Sequence, residues 1–274
     1  MARRWLVTGC SSGLGSALAA AAAEAGDTVL ATARKPAALD DLVKAHPDRV
    51  LTAALDVRDP EQCEAAVQTA VDRLGGVDVL VNNAGSGLFG AVEEVADEEL
   101  REQLETLLVG PWRLSRLVLP VMRAQGGGHI VNVSSIAGRT AFPGLAAYVT
   151  GKHALEGMSQ ALAAEVGAFG VKVSVIEPGG FATRYGASLA ETALRLPAYR
   201  EATALMREQL RGMAENTGLS RPEEFAELVL ALVAADPAPL RVPVGVGAFE
   251  LLAAAEEAAR TDLAAARALV LGED

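Results

Sequence analysis

Two residues four apart and a third upstream could share one reaction. Tyr148 and Lys152 are at positions i and i+4, and Ser135 lies thirteen residues before Tyr148. On a helix, positions i and i+4 share a face. A phenol ionises near pH ~10 in water, too high for a base at neutral pH. An ammonium held beside it favours the phenolate. A serine hydroxyl at the end of the preceding strand could bond the substrate oxygen. The three together make a general acid/base with its activator and its orienter. A Tyr/Lys pair at this spacing also arises often by chance on helices, so the pair alone carries little.

A second group suits an anionic cofactor. Thr8-Gly9-Cys10-Ser11-Ser12-Gly13-Leu14-Gly15 follows an apolar run and opens an alanine-rich one. Glycines let a backbone approach a pyrophosphate, and a helix N-terminus supplies free N–H groups with the positive end of its dipole. Gly9, Ser11, Ser12, Gly13, Leu14 and Gly15 are therefore candidate dinucleotide contacts. The alternative is an ordinary tight turn between a strand and a helix. Arg34 lies 19 residues beyond Gly15, followed by Lys35. In dinucleotide folds an acid near this point bonds a ribose 2′-hydroxyl, whereas an Arg accommodates a 2′-phosphate. A guanidinium bonds phosphate bidentately and a carboxylate repels it. The expected cofactor is NADP, with NAD the weaker candidate; the alternative for Arg34 is a solvated basic turn.

Such groups need a scaffold, and the chain alternates between strand-like and helix-like segments. Apolar runs fall at 5–9, 28–33, 51–57, 77–82, 130–134, 171–177 and 242–246. Continuous rather than alternating apolar runs suit a parallel sheet covered on both faces. The expected fold is α/β, a Rossmann-type doubly wound parallel sheet of about seven strands with helices on both faces. Long helices are expected from Asp97 to about Arg123 and from Ala147 to about Phe169. The stretch 180–220 reads as helical, without a strand of its own. It follows the sixth strand, where open α/β sheets bind ligands, and reads as a substrate lid. Residues 250–271 read as a helix packed on the body or at a subunit contact. One domain over 1–274 is expected.

These motifs together resemble the short-chain dehydrogenase/reductase family, from about Arg4 to about Gly247. The matching pieces are TGCSSGLG (8–15), LDV (55–57), NNAG (82–85), NVSSIAGR (132–139), YxxxK (148–152) and EPGGFAT (177–183), in family order and spacing. ATARKP, LPVMR and FPGLAAY look like members acting on retinoids and 17β-hydroxysteroids and their bacterial relatives. The resemblance implies hydride transfer between a nicotinamide and an alcohol or carbonyl carbon. It makes Tyr148 the acid/base and Lys152 the holder of the nicotinamide ribose. Ser135 becomes the partner of the substrate oxygen. It puts Asp56 and Val57 at the adenine, Asn83, Ala84 and Gly85 along the adenosine ribose, and Pro178, Gly179 and Thr183 at the nicotinamide. It also implies pairing through the two long helices into a homodimer or homotetramer. Apolar positions 104, 107, 108, 114, 117, 118 and 121 suit a buried helix face, against either the same subunit or another.

Two positions depart from the family pattern. Leu107 stands where the family usually has an Asn in a stretch like ETNxFG. That Asn is thought to hold a helix distortion and a water linking the lysine to solvent. Leucine bonds no water, so either the backbone carbonyl of residue 107 holds it, or the proton relay is impaired or rerouted. Gly151 stands where Ser is more common, which leaves room for a cofactor or substrate edge or reflects tolerated drift. Two other functions remain in view: an epimerase or dehydratase on the same scaffold, and a non-catalytic dinucleotide-binding protein.

Bulk properties narrow the partners. The net charge of −11 opposes a phosphate-binding surface, which argues against nucleic acid. No apolar run approaches the ~18 residues of a membrane span, and the apolar start stops too soon for a signal peptide. The two cysteines form no framework, and no Cys/His cluster suggests a metal. A cytoplasmic protein acting on a small-molecule alcohol or carbonyl is expected. The lid supplies apolar Phe181, Leu189, Leu194, Leu196, Leu205, Met206 and Leu210 for an apolar substrate. It also supplies Arg184, Arg195, Arg200, Arg207 and Arg211, which would pair with a carboxylate or face water.

Overall fold

The computed structural model describes residues 2–183, 185–213 and 216–272. In chain order the elements are β1 (Arg4–Val7), α1 (Gly13–Glu24), β2 (Thr28–Ala33), α2 (Asp40–Ala45), β3 (Val50–Ala54), α3 (Pro60–Leu74), β4 (Val79–Asn82) and β5 (Leu88–Phe89). There follow α4 (Asp97–Leu104), α5 (Gly110–Gln125), β6 (Gly128–Val133), α6 (Ala146–Val166), β7 (Val171–Pro178), α7 (Tyr185–Ser188) and β8 (Ala190–Glu191). The chain continues through α8 (Arg200–Arg211), α9 (Pro222–Ala234), β9 (Arg241–Val244) and α10 (Ala248–Leu271).

Each expected apolar run supplies a strand of one parallel sheet, in the order β3-β2-β1-β4-β6-β7-β9. Successive side chains point to opposite faces of a strand, and here both faces are buried. Trp5 and Val7 pack with α1 and α9, whereas Leu6 packs toward α3 and α5. Val79 and Val81 part from Leu80 in the same way. This is the α/β doubly wound architecture that the runs predict. The order reverses between β1 and β4, so the connections leaving those strands diverge and open a crevice at their C-terminal ends.

Two expectations about the helices and the 180–220 stretch need correction. The helix expected from Asp97 to about Arg123 is broken by a π-helical turn over Glu105–Val109. The 180–220 stretch does contain a strand, because β8 pairs in parallel with β5 as a separate two-stranded sheet. α10 packs on the body only at its start, where Ala248 and Leu252 are buried; residues 256–272 are exposed. On the apolar face of the long helix, Leu107, Leu114 and Val118 turn into their own subunit. No helix among the described residues is long and apolar enough to cross a membrane.

Candidate active site

The glycine turn is built by contacts between the ends of β1 and β4. Gly9 has φ +72°, a left-handed conformation that glycine adopts without steric cost. A side chain there would also begin 2.8 Å from Ala84 Cα. Thr8 Oγ1 accepts hydrogen bonds from the Asn83 and Ala84 N–H groups at 3.0 and 2.9 Å. The Asn83 amide donates back to the carbonyls of Thr8 and Gly9 at 2.9 and 3.2 Å. The strand ends are thereby tied together where the sheet order reverses. α1 starts at Gly13, and the preceding Ser12 makes no side-chain cap, so its first N–H groups remain available to an anion.

A cavity of about 1220 Å³ opens over the C-terminal ends of β1, β4, β6 and β7. Every residue nominated from the sequence lines it except Gly15. Gly15 lies beneath the turn, where a side chain would meet the Asn83 amide at 2.4 Å. At one end the wall holds Arg34, Asp56 and Val57; along the middle come Asn83, Ala84 and Gly85; at the other end stand Ser135, Tyr148, Lys152, Pro178, Gly179 and Thr183. Glycine-lined backbone, unpartnered helix N–H groups and a long cleft fit a dinucleotide pyrophosphate flanked by two nucleosides.

α6 presents Tyr148, Lys152, Glu156 and Ser159 as one buried stripe. The Lys152 ammonium donates to the Val133 carbonyl at 2.7 Å and lies 5.7 Å from the Tyr148 ring centroid. Burial lowers the Lys152 pKa to about 8, against the pull of Glu156. Burial raises the Tyr148 phenol, while a hydrogen bond with Ser135 draws it back. Below this layer Asn82 donates to Asn132 at 2.8 Å, and Asn132 donates to Ser159 at 2.8 Å. That buried chain ties β4, β6 and α6 together under the cavity.

Leu107 and Gly151 fit each other. Leu107 is 1% exposed, and a side chain at Gly151 would begin 2.9 Å from its Cδ1. The space freed by Gly151 thus holds Leu107 rather than a cofactor or substrate edge. The π-turn persists without the family's asparagine, closed by the Gly110 N–H on the Glu105 carbonyl.

Three residues at the site were not singled out from the sequence. Arg58 clasps the Asp56 carboxylate at 2.7 Å and holds its pKa below the usual range, so Asp56 is already committed. Tyr185 of α7 stands 5.7 Å from Tyr148, ring centroid to ring centroid. Glu156 is the i+8 position from Tyr148, and its helical spacing was the available signal. Arg58 directly follows the LDV motif, and that adjacency was its signal; Tyr185 had none, because chain folding alone brings it near.

Three arginines of the 180–220 stretch close on the protein itself. Arg195 and Arg211 bond Glu191 at 2.6 and 2.9 Å, and Arg195 also reaches Glu94. Arg195 and Arg207 cover the Phe89 ring at 5.5 and 5.0 Å. Arg200 is exposed, and Arg184 lies outside the described residues. Met206 and Leu210 line the cavity, as do Phe142, Leu145, Met213 and Leu219, while Leu194 and Leu205 face solvent.

The family model for short chain dehydrogenase matches residues 3–194. The chain belongs to the short-chain dehydrogenase family. The relatives of this short-chain dehydrogenase include the oxidoreductase BOA17 of Botryotinia fuckeliana, 40% identical over 258 residues and 94% of each chain. A short-chain dehydrogenase from Streptomyces avermitilis has a similar structure, with TM-score 0.89 and 41% identity over 100% of this chain and 99% of that one. An alcohol dehydrogenase from Thermococcus sibiricus, complexed with 5-hydroxy-NADP, gives TM-score 0.72 and 26% identity over 89% and 95%. This short-chain dehydrogenase therefore shares an oxidoreductase family as well as a fold.

Proposed function

We propose that this short-chain dehydrogenase interconverts an uncharged, apolar alcohol and its carbonyl compound with NADP(H), using Tyr148 as acid/base. The observation that carries the reading is the convergence of Ser135, Tyr148 and buried Lys152 on one end of the dinucleotide-shaped cleft. When bound, the nicotinamide supplies or accepts the hydride. Ser135 holds the substrate oxygen, Tyr148 gives it a proton in reduction, and the Lys152 charge favours the resulting phenolate. Gly9, Ser11, Ser12, Gly13 and Leu14 cradle the pyrophosphate. Asn83, Ala84 and Gly85 lie along the adenosine ribose; Pro178, Gly179 and Thr183 flank the nicotinamide. Val57 serves the adenine through its backbone.

Arg34 at the cleft mouth supports the preference for NADP, and Arg58 beside it reinforces this by neutralising Asp56. The pairing of lid arginines with Glu191 and Glu94 supports an uncharged substrate, since it leaves an apolar wall. One domain, a cytoplasmic setting and assembly into a homodimer or homotetramer complete the proposal. Two free, buried cysteines suit a reducing compartment. Exposed Trp112 and Phe249 are available to a subunit contact.

Two measurements test the reading. Nicotinamide fluorescence should show tight NADPH binding that weakens selectively in Arg34→Ala; equal affinity for NADH and NADPH would sink the cofactor preference. Tyr148→Phe should abolish turnover of a carbonyl substrate while leaving NADPH affinity nearly intact. Undiminished turnover in that variant would sink the role given to Tyr148, whereas no net NADPH consumption with any carbonyl substrate would point to the epimerase, dehydratase or non-catalytic alternatives.

A further inference from the structure

Glu156 continues the Tyr148–Lys152 stripe one helical turn further into the protein and is 3% exposed. Its Oε2 accepts from the Arg241 guanidinium at 3.3 Å, and its Oε1 has no hydrogen-bond partner among the described residues. Glu177, fully buried near the end of β7, repeats the pattern. Its Oε1 faces Arg139 at 3.4 Å and Arg241 at 3.9 Å, and its Oε2 is unpartnered among the described residues. The third unpartnered atom is Ser134 Oγ, on the cavity wall. A side chain at Gly138 would begin 2.5 Å from Ser134 Oγ and 3.1 Å from Glu156 Oε1, so both oxygens turn into the same small space.

These groups form a polar track with two ends. One end is the cavity wall at Ser134 and Lys152. The other is the surface, where Arg139 bonds the exposed Glu256 and Arg241 is partly exposed. Beside Lys152 the wall is apolar, because Leu107 fills the space between Gly85 and Gly151. Buried polar atoms without partners are costly. Two of them facing one space, with Glu177 joined to Glu156 through Arg241, call for a reason such as ordered water or a shared proton. Burial and the neighbouring Glu156 charge raise the Glu177 carboxyl above the usual range, while Arg139 and Arg241 oppose the rise.

We propose that Glu156, together with Glu177, relays protons between solvent and the Tyr148–Lys152 pair. Glu156 does not line the cavity; it acts through Lys152, as a positioning residue for the proton. It has this role only if Tyr148 is the acid/base, as proposed above. In carbonyl reduction the Tyr148 O–H bond breaks and its proton goes to the substrate oxygen, whose carbon receives hydride from NADPH. The phenolate regains a proton from the Lys152 ammonium. Lys152 is recharged across Ser134 from the Glu156 carboxyl, Glu156 from Glu177, and Glu177 from solvent near Arg139, Arg241 and Glu256. One proton enters from solvent for each hydride transferred, and oxidation runs the track in reverse.

Steady-state reduction of a carbonyl substrate by NADPH, in H₂O and D₂O across pH, tests the relay. Glu156→Gln should lower kcat about tenfold, a modest share of what acid/base groups contribute. It should also enlarge the solvent isotope effect and shift the pH profile of kcat. Glu156→Asp should regain part of the loss, and Glu177→Gln should move in the same direction as Glu156→Gln. An NADPH titration of each variant confirms that the cleft has folded. Unchanged kcat in both Gln variants would overturn the relay, as would a lower kcat with unaltered isotope effect and pH profile. If Glu156→Gln does not fold, Glu177→Gln decides by the same readouts. A Tyr148→Phe enzyme that still turns over overturns the acid/base reading and the relay with it; a dead Tyr148→Phe beside unaffected Gln variants overturns the relay alone.

Discussion

Gly151 gives up about 1 kcal/mol of helix propensity relative to alanine, and the space it frees is filled by Leu107. The two departures from the family pattern are therefore one packing solution. Gly151→Ala would set a methyl group 2.9 Å from Leu107 Cδ1, and overpacking of this kind costs about 1–3 kcal/mol. Leu107→Ala leaves a cavity worth about 2–5 kcal/mol. In urea unfolding, the double variant should be more stable than the sum predicts, with a coupling of about 0.5–3 kcal/mol. Strict additivity would mean that the residues do not share the space. The same scale sets a pH dependence. Under the proposed reaction, reduction needs a proton on Tyr148, which burial retains, and a charge on Lys152, whose pKa is lowered to about 8. The value of kcat/KM reports the free enzyme, so it should hold steady below that pH and fall as pH rises through it. A profile that stays flat up to the phenol range would contradict the role given to the lysine charge.

Within the elements, β6 and β7 are joined by a buried side-chain bond as well as their ladder. His129 Nε2 lies 3.0 Å from Ser174 Oγ, which itself donates to the Pro239 carbonyl at 2.7 Å. The imidazole must then donate through Nε2. Burial, with the charges of Lys172 and Arg3, lowers its pKa to about 4. Between that value and the usual one near ~6.5, the unfolded chain binds more protons than the folded one, so stability falls as pH drops through this window. The full loss is about 3 kcal/mol, and His129→Gln should flatten the stability–pH curve there in denaturant titrations. The 180–220 stretch is held by a different device. Arg195, Arg207 and Arg211 converge on Glu191, while the Leu196 N–H donates to Glu94 at 2.7 Å and the Tyr199 hydroxyl donates to Glu93 at 2.6 Å. Exposed ion pairs add little to global stability. Glu191→Ala should therefore raise the KM for substrate while leaving the melting temperature and NADPH affinity nearly unchanged; a matching loss of NADPH affinity would show that the latch supports the whole cleft.

Across the molecule, one side of the sheet carries α1 and α9 and the other carries α3, α5 and α6. α10 belongs to neither layer beyond its first turns, where Leu252 is buried and Glu256 meets Arg139. Leu263, Leu269 and Val270 on its outer half are exposed. Deletion of residues 258–274 should leave the melting temperature and NADPH binding unaltered, because it removes few buried contacts. A drop in melting temperature that depends on protein concentration would instead assign the outer half of α10 to a contact between subunits.

The seven strands were legible because each is a short apolar run, and a parallel sheet buried on both faces demands such runs. The cleft residues were legible because the family motifs sit at strand ends, and strand ends are where an open sheet binds ligands. Helical periodicity puts Tyr148 and Lys152 on one face, and only the surrounding family motifs set that pair apart from chance. Long-range packing decided the rest. No local pattern announces that Leu107 needs Gly151, since their 44-residue separation is closed only when the π-turn meets α6. Nor does sequence order tell which carboxylate each lid arginine meets, because a charge pairs with whatever the fold brings within a few ångströms. The short β5–β8 pair escaped notice because two residues carry no periodicity. Chemistry that depends on residue type and local spacing was written in the sequence; chemistry that depends on which side chains exclude water together was decided by the tertiary structure.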